Sequence, residues 1–161
     1  MVRGFIFIMK IEEEIKQPKF RSNHQKALLN LLYTASWLQG TQQHFFKPFK
    51  ITAQQFNILR ILKGQHPSAI SATEIKARML DKNSDVSRLL DRLVRKNLIS
   101  KQTCPNDKRA TDVTIAEAGL ALLETLEKHQ DELDGVLSLT DEEALQLSDL
   151  LDKCRRTADE V

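Results

Sequence analysis

The fold is decided by Ser71-Ala72-Thr73-Glu74-Ile75-Lys76-Ala77-Arg78-Met79-Leu80-Asp81-Lys82-Asn83-Ser84-Asp85-Val86-Ser87-Arg88-Leu89-Leu90-Asp91-Arg92-Leu93-Val94-Arg95-Lys96-Asn97. Ser71 with Glu74 three residues later is a capping box, in which hydroxyl and carboxylate each satisfy an amide that a helix start leaves open. The short helix it opens carries Ile75 and Met79 one turn apart. Asp81 to Asn83 supplies turn chemistry. A second helix then runs from near Asn83 to Lys96, with Val86, Leu89, Leu90 and Leu93 as its apolar stripe. Its other face reads Ser84, Asp85, Ser87, Arg88, Asp91, Arg92 and Arg95. Asn97 stands where a left-handed residue commonly closes a helix, and asparagine is the best choice there after glycine.

Beyond Asn97, Leu98 to Cys104 and Thr111 to Ile115 favour β structure, and Pro105-Asn106-Asp107-Lys108-Arg109 between them supplies a turn. Helix, tight turn, helix and hairpin in succession make a winged helix-turn-helix. Upstream, Thr52-Ala53-Gln54-Gln55 reads as a capping box for a helix with Phe56, Leu59 and Leu62 on one face, ended between Gly64 and Ser68 around Pro67. Further out, Ala27, Leu28, Leu31, Leu32, Ala35 and Leu38 stripe a long helix from His24 to about Lys47. Downstream come an acidic helix from Glu117 to about Leu133 and a last one capped by Thr140-Asp141-Glu142-Glu143, striped by Ala144, Leu147, Leu150, Leu151 and Cys154.

The terminal helices lack a partner core within so short a chain. They most simply bury each other across a two-fold axis, which makes the protein a homodimer. The expected architecture is mainly α with a small β-hairpin wing, a winged helix-turn-helix with N- and C-terminal dimerisation helices. Residues 1–20 form an extension, 21–48 and 117–161 the dimerisation helices, and 49–116 the DNA-binding region. Met9 followed by Lys-Ile-Glu-Glu-Glu resembles an ordinary protein start, so residues 1–8 read as an upstream start or an extension, or else as a short element packed on the dimer.

The net charge of +2 conceals an asymmetry. Residues 1–71 carry 10 basic and 3 acidic side chains, residues 72–115 carry 10 and 6, and residues 116–161 carry 4 and 13. A basic front and an acidic tail suit a surface for a polyanion. No apolar stretch approaches the roughly 20 residues needed to span a bilayer. The first ten residues contain a five-residue apolar run, Phe5 to Met9, too short for an export signal of roughly 7 to 15. Two cysteines make no disulfide framework, so the cytoplasm is the expected compartment. His24, His44, His66 and His129 show no ligand spacing, and no metal or other cofactor is expected. Phosphate-cradling glycine loops, nucleophile elbows and helical His-Glu-x-x-His are all absent, which argues against an enzyme.

Reading double-stranded DNA requires a few side chains at base edges and many cations on phosphates. The second helix suits both tasks. Ser84, Asp85 and Ser87 are small enough to allow close approach, Arg88 can make a bidentate contact to guanine or reach a phosphate, and Arg92 and Arg95 can hold the backbone. The alternative is that these arginines pair with Asp85 and Asp91 on a solvated surface. At the hairpin tip, Arg109, with Lys108 beside it, can enter the minor groove while Asp107 fixes its guanidinium.

The stretch from Ile51 to Leu120 resembles the DNA-binding region of the MarR (multiple antibiotic resistance regulator) family. The likeness rests on Ser71 to Ile75, Val86 to Ile99, and Asp107-Lys108-Arg109 before Val113-Thr114-Ile115-Ala116-Glu117-Ala118-Gly119. It implies a dimer on a pseudo-palindromic operator, usually as a repressor, with Ser84 to Arg88 in the major groove and Arg109, oriented by Asp107, in the minor groove. It also implies a small-molecule effector pocket near Tyr33, Trp37, Phe45 and Phe46, although aromatics at helical spacing equally serve a core. Two positions depart from the family pattern, which usually has Gly at Asn97 and Ser or Thr at Ala116; the second removes a helix cap worth about 1 kcal/mol. Neither cysteine occupies the N-terminal position of the peroxide-sensing members; Cys104, in the wing, is the better redox candidate. The rival reading is a winged-helix protein-interaction module without DNA binding.

Overall fold

The computed structural model describes residues 9–104 and 107–155, and for 103–104, 107–110 and 130 it describes the backbone alone. The expectations for residues 1–8 and for the Pro105-Asn106 turn lie outside the described residues. The chain forms two compact units, Met1–Ala53 and Gln54–Val161.

In the first unit, α1 (Ile11–Glu14) precedes the 24-residue α2 (Asn23–Phe46). Ser22 caps α2 by accepting from the Gln25 amide at 3.2 Å. Lys26 pairs with Glu12 at 2.5 Å, and the Tyr33 hydroxyl donates to Glu14 at 2.5 Å. That bond to a carboxylate raises the tyrosine's pKa, because ionising it would set two negative groups together. Most of the apolar stripe of α2 remains uncovered, with Leu28, Leu31, Leu32 and Trp37 all exposed.

The second unit is built on α3 (Ala53–Lys63), which begins at the boundary, β1 (Ile70–Ser71), α4 (Ala72–Arg78), α5 (Val86–Arg95), β2 (Ile99–Cys104), β3 (Asp107–Ile115) and α6 (Glu117–Glu127). Ile58, Leu59, Ile75, Leu93 and Val113 are its fully buried centre, to which the predicted stripes of α3, α4 and α5 all contribute. Phe56, expected on the apolar face of α3, is only half-buried. The expected hairpin forms between β2 and β3, and a third antiparallel strand extends it to the order β1-β3-β2. The extra strand pairs Ile70 with Val113 and Ser71 with Asp112. Two residues cannot show a strand's alternation, which is why the sequence does not announce it.

Helix α5 starts three residues later than the periodicity suggested. Asp81 accepts from the Asn83 amide at 3.0 Å and the Ser84 hydroxyl at 2.8 Å, and Asp85 accepts from the Arg88 amide at 3.1 Å. These local bonds from short polar side chains hold the backbone out of the helix until Val86. Asn97 closes α5 at φ 57°, and the Leu98 amide reaches back to the Leu93 carbonyl at 3.1 Å, as expected for an αL cap. Ala116, at the N-cap of α6, makes no side-chain cap.

The expected helix from Glu117 to Leu133 is broken into α6 and α7 (Gln130–Asp134), followed by a 3-10 turn, Gly135–Leu137. His129 sits at φ −109°, ψ 12°, and its amide bonds the Leu126 carbonyl three residues back. With neither Gly nor Pro at the junction, the break leaves no mark on the sequence. The last helix, α8 (Asp141–Cys154), has the predicted Thr140–Glu143 capping box and no buried residue. Its apolar stripe is open, with Leu150 60% exposed, and Cys154 at its end is exposed rather than buried.

Candidate nucleic-acid interface

The geometry of the site begins with α4. The Ser71 hydroxyl accepts from the Glu74 amide at 3.2 Å, and the Glu74 carboxylate accepts from the Ser71 amide at 3.1 Å and its hydroxyl at 2.8 Å. Those donors hold the Glu74 carboxyl below its ordinary value. The turn into α5 is tied at several points. Asn57 on α3 accepts from the Leu80 amide at 2.9 Å, and the Lys82 ammonium donates to the Ala77 carbonyl at 2.6 Å.

The presentation of α5 follows from this frame. Val86, Leu90 and Leu93 are buried, which turns Ser87, Arg88, Arg92 and Arg95 outward; all four are exposed. Ser84 and Asp85, expected on the first turn of the helix, instead precede it. Asp85 is the N-cap and Ser84 belongs to the Asp81 turn, so both side chains are committed to building the turn. Arg88 lies 3.6 Å from Asp85 with 71% of its side chain exposed. A pair so open to water is worth little and yields readily to a phosphate or base. The Arg95 guanidinium donates along its own helix to the Asp91 carbonyl at 3.3 Å. Of the pairings that a solvated surface would predict, Arg88 with Asp85 is therefore present, while the Asp91 carboxylate is taken by Lys101 at 2.8 Å.

The wing is formed by β2 and β3, with Ile99 opposite Ile115 and Lys101 opposite Val113, and a register shift between Thr103 and Cys104. Asp107, Lys108 and Arg109 belong to β3 rather than to a turn, because pairing resumes with Asp107 opposite Cys104. Their side chains and that of Cys104 lie outside the described residues, as does the orienting role expected of Asp107.

Sequence reasoning missed three supports behind this surface. Gln55 on α3 is buried and accepts from the Lys96 ammonium at 3.1 Å, and burial lowers the Lys96 pKa. Glu127 on α6 receives Lys63 and, at 3.5 Å, Arg60 from α3. Lys101 and Asp91 are the third. All join residues distant in sequence, and periodicity reports only neighbours.

The aromatic residues of the first unit divide. Tyr33 and Trp37, with Ser36, Gly40, Thr41 and His44, line an open groove of about 580 Å³ along α2. Phe45 and Phe46 do not line it. Phe46 is buried and meets Phe45 edge to face at 5.0 Å, and Phe45 lies 5.9 Å from Phe49. Among the described residues no His, Cys, Asp and Glu group could hold a metal ion, and no helix is long and apolar enough to cross a membrane.

Residues 51–111 match the model of the MarR family. The chain is similar to a MarR transcription factor from Planctomyces limnophilus, with 30% identity, a TM-score of 0.66, and coverage of 83% of this chain and 98% of that one. It is similar also to a cysteine variant of Escherichia coli MarR complexed with operator DNA, with 26% identity, a TM-score of 0.71, and coverage of 86% and 100%. In sequence it is 28% identical over 114 residues to the HTH-type transcriptional regulator PecS of Dickeya dadantii, a match covering 69% of each chain. Across three curated relatives the match spans 54% to 69% of their own length. A capped helix-turn-helix with the polar face of α5 turned outward, a β2–β3 wing within a three-stranded sheet and these relatives lead to one conclusion: the chain belongs to the MarR family of DNA-binding transcription regulators.

Proposed function

We propose that the protein acts as a homodimeric, ligand-responsive repressor that places one winged helix-turn-helix in each half of a pseudo-palindromic operator. The observation that carries the DNA contact is the outward face of α5, where Ser87, Arg88, Arg92 and Arg95 stand exposed on a helix whose opposite side is locked into the core. Ser87 and Arg88 read bases in the major groove, Ser84 and Asp85 shape the approach, and Arg92 and Arg95 hold phosphates. Arg109 enters the flanking minor groove, assisted by Lys108 and oriented by Asp107. Residues 21–48 and 117–161 serve as dimerisation helices around the 49–116 reader. The exposed leucines of α2 and α8 support this, since two such faces in one chain are suited to a second copy. A small effector is accommodated in the α2 groove at Tyr33 and Trp37. The protein works in the cytoplasm and catalyses no reaction.

Binding to duplex DNA selected from the gene's own upstream region tests this reading. Affinity should fall steeply with salt, as counterion release requires, and light scattering should show a dimer at micromolar concentration. Salt-independent or absent binding would favour a protein-interaction module instead.

A further inference from the structure

We infer that Asp91 and Lys101 form a strut that fixes the wing relative to the recognition helix, making them positioning residues for simultaneous major- and minor-groove contact. The inference rests on the DNA-binding reading above. Lys101 follows Ile99 by two residues, so it shares the face of β2 that carries buried Ile99. Its ammonium reaches the Asp91 carboxylate at 2.8 Å, and its side chain is only 28% exposed. Asp91 stands on α5 between Arg88 and Arg92, one turn from each of the outward cations Arg88 and Arg95. The Lys101 ammonium, by hydrogen bond and charge, holds the Asp91 carboxyl below its ordinary value.

Two consequences follow from that placement. An unpaired carboxylate at Asp91 would repel the phosphates that its neighbours attract, and Lys101 offsets that charge. The ammonium is at the same time drawn toward the helix, so the pair sets how far the hairpin splays from α5. The angle matters because the major groove read by α5 and the minor groove met by the hairpin are separated by a fixed stretch of backbone. A wing at the wrong angle can satisfy one groove and miss the other. The pair therefore governs how strongly flanking sequence counts in the total affinity.

Asp91→Asn and Lys101→Met, the second keeping the apolar stem, are to be compared with their double variant and with the charge exchange Asp91→Lys with Lys101→Asp. Hydrogen exchange in β2 and β3 of the free protein is the first measurement, and it needs no DNA. It should accelerate in each single variant and no further in the Asn/Met double. Binding to duplexes with the same core and either A·T or G·C flanks is the second. Each single variant should lose about two- to five-fold on the A·T-flanked duplex, the size expected of a partly exposed ion pair, and should flatten the preference between flanks. The charge exchange should restore part of that preference. Unchanged hydrogen exchange overturns the strut, whatever the DNA result. So does equal weakening of both duplexes by Lys101→Met with a shallower salt slope while Asp91→Asn tightens both, because Lys101 would then be a phosphate contact. Wild-type protein without salt-dependent binding would refute the DNA reading separately, with the exchange measurement still deciding whether the pair holds the wing.

Discussion

Gly119→Ala places a methyl group where the structure has no room for one. A Cβ at Gly119 would lie 2.3 Å from the Leu98 carbonyl oxygen and 2.8 Å from Ile115 Cγ1. Restoring ordinary contact calls for roughly 1 Å of movement between α6 and the end of α5, in a region packed too tightly to absorb it. The same Leu98 carbonyl accepts the Ala116 amide at 3.0 Å, so the shift also strains the bond that starts α6. Overpacking costs about 1 to 3 kcal/mol, and the weakened hydrogen bond about 1 kcal/mol. Alanine's greater helix propensity returns about 1 kcal/mol. The net loss should be about 1 to 3 kcal/mol, or roughly 3 to 10 °C in Tm for a chain of this size. Urea and thermal unfolding at one fixed protein concentration measure it, since association contributes to apparent stability. Gly64→Ala is the control, because its Cβ would meet only ordinary contacts at 3.6 and 3.7 Å. If Gly119→Ala is as stable as the wild type, the close approach of α6 to Leu98 is wrong.

Arg88→Ala should cost about 1 to 3 kcal/mol in operator binding and relax preference at one position in each half-site; uniform weakening on all sequences in a binding selection would make Arg88 a phosphate contact. Asp107→Ala should weaken operator binding although it removes a negative charge near DNA, and should add little once Arg109 is alanine. A double-mutant cycle at fixed salt measures the coupling, and simple additivity would refute the orienting role. Stability should also fall in acid. Glu74 and Glu143 are held below their ordinary 4.5 by hydrogen bonds from Ser71 and Thr140, so their contribution is complete above the unfolded value and is lost as pH drops through the lowered folded one. Urea midpoints at pH 7 and pH 3.5 should differ less in the Glu74→Gln, Glu143→Gln double variant, and an unchanged difference would remove the capping carboxylates from the account.

Local rules sufficed for a large part of this molecule. Capping boxes at Ser71–Glu74 and Thr140–Glu143, the αL close at Asn97, and the buried Val86, Leu90 and Leu93 each depend on residues within a turn or two, so spacing alone reveals them. The outward face of α5 follows from the same stripe, because a helix with one side buried must present the other. Local competition was harder to read. Asp85 is an adequate helix residue by periodicity and a better N-cap by chemistry, and only the folded turn, with Ser84 already bound to Asp81, shows which role prevails. The division of the aromatics was equally hidden, since Phe45 and Phe46 continue the helical spacing of Trp37 yet join Phe49 in a cluster away from the groove. What the chain alone determined, therefore, is the kind and order of its elements and which face of each is apolar. Tertiary structure alone decided the third strand at Ile70–Ser71, the Lys101–Asp91 and Lys96–Gln55 contacts, and the need for glycine at 119. Each of these depends on two segments meeting at a particular distance, and that distance is set by the packing of the whole core.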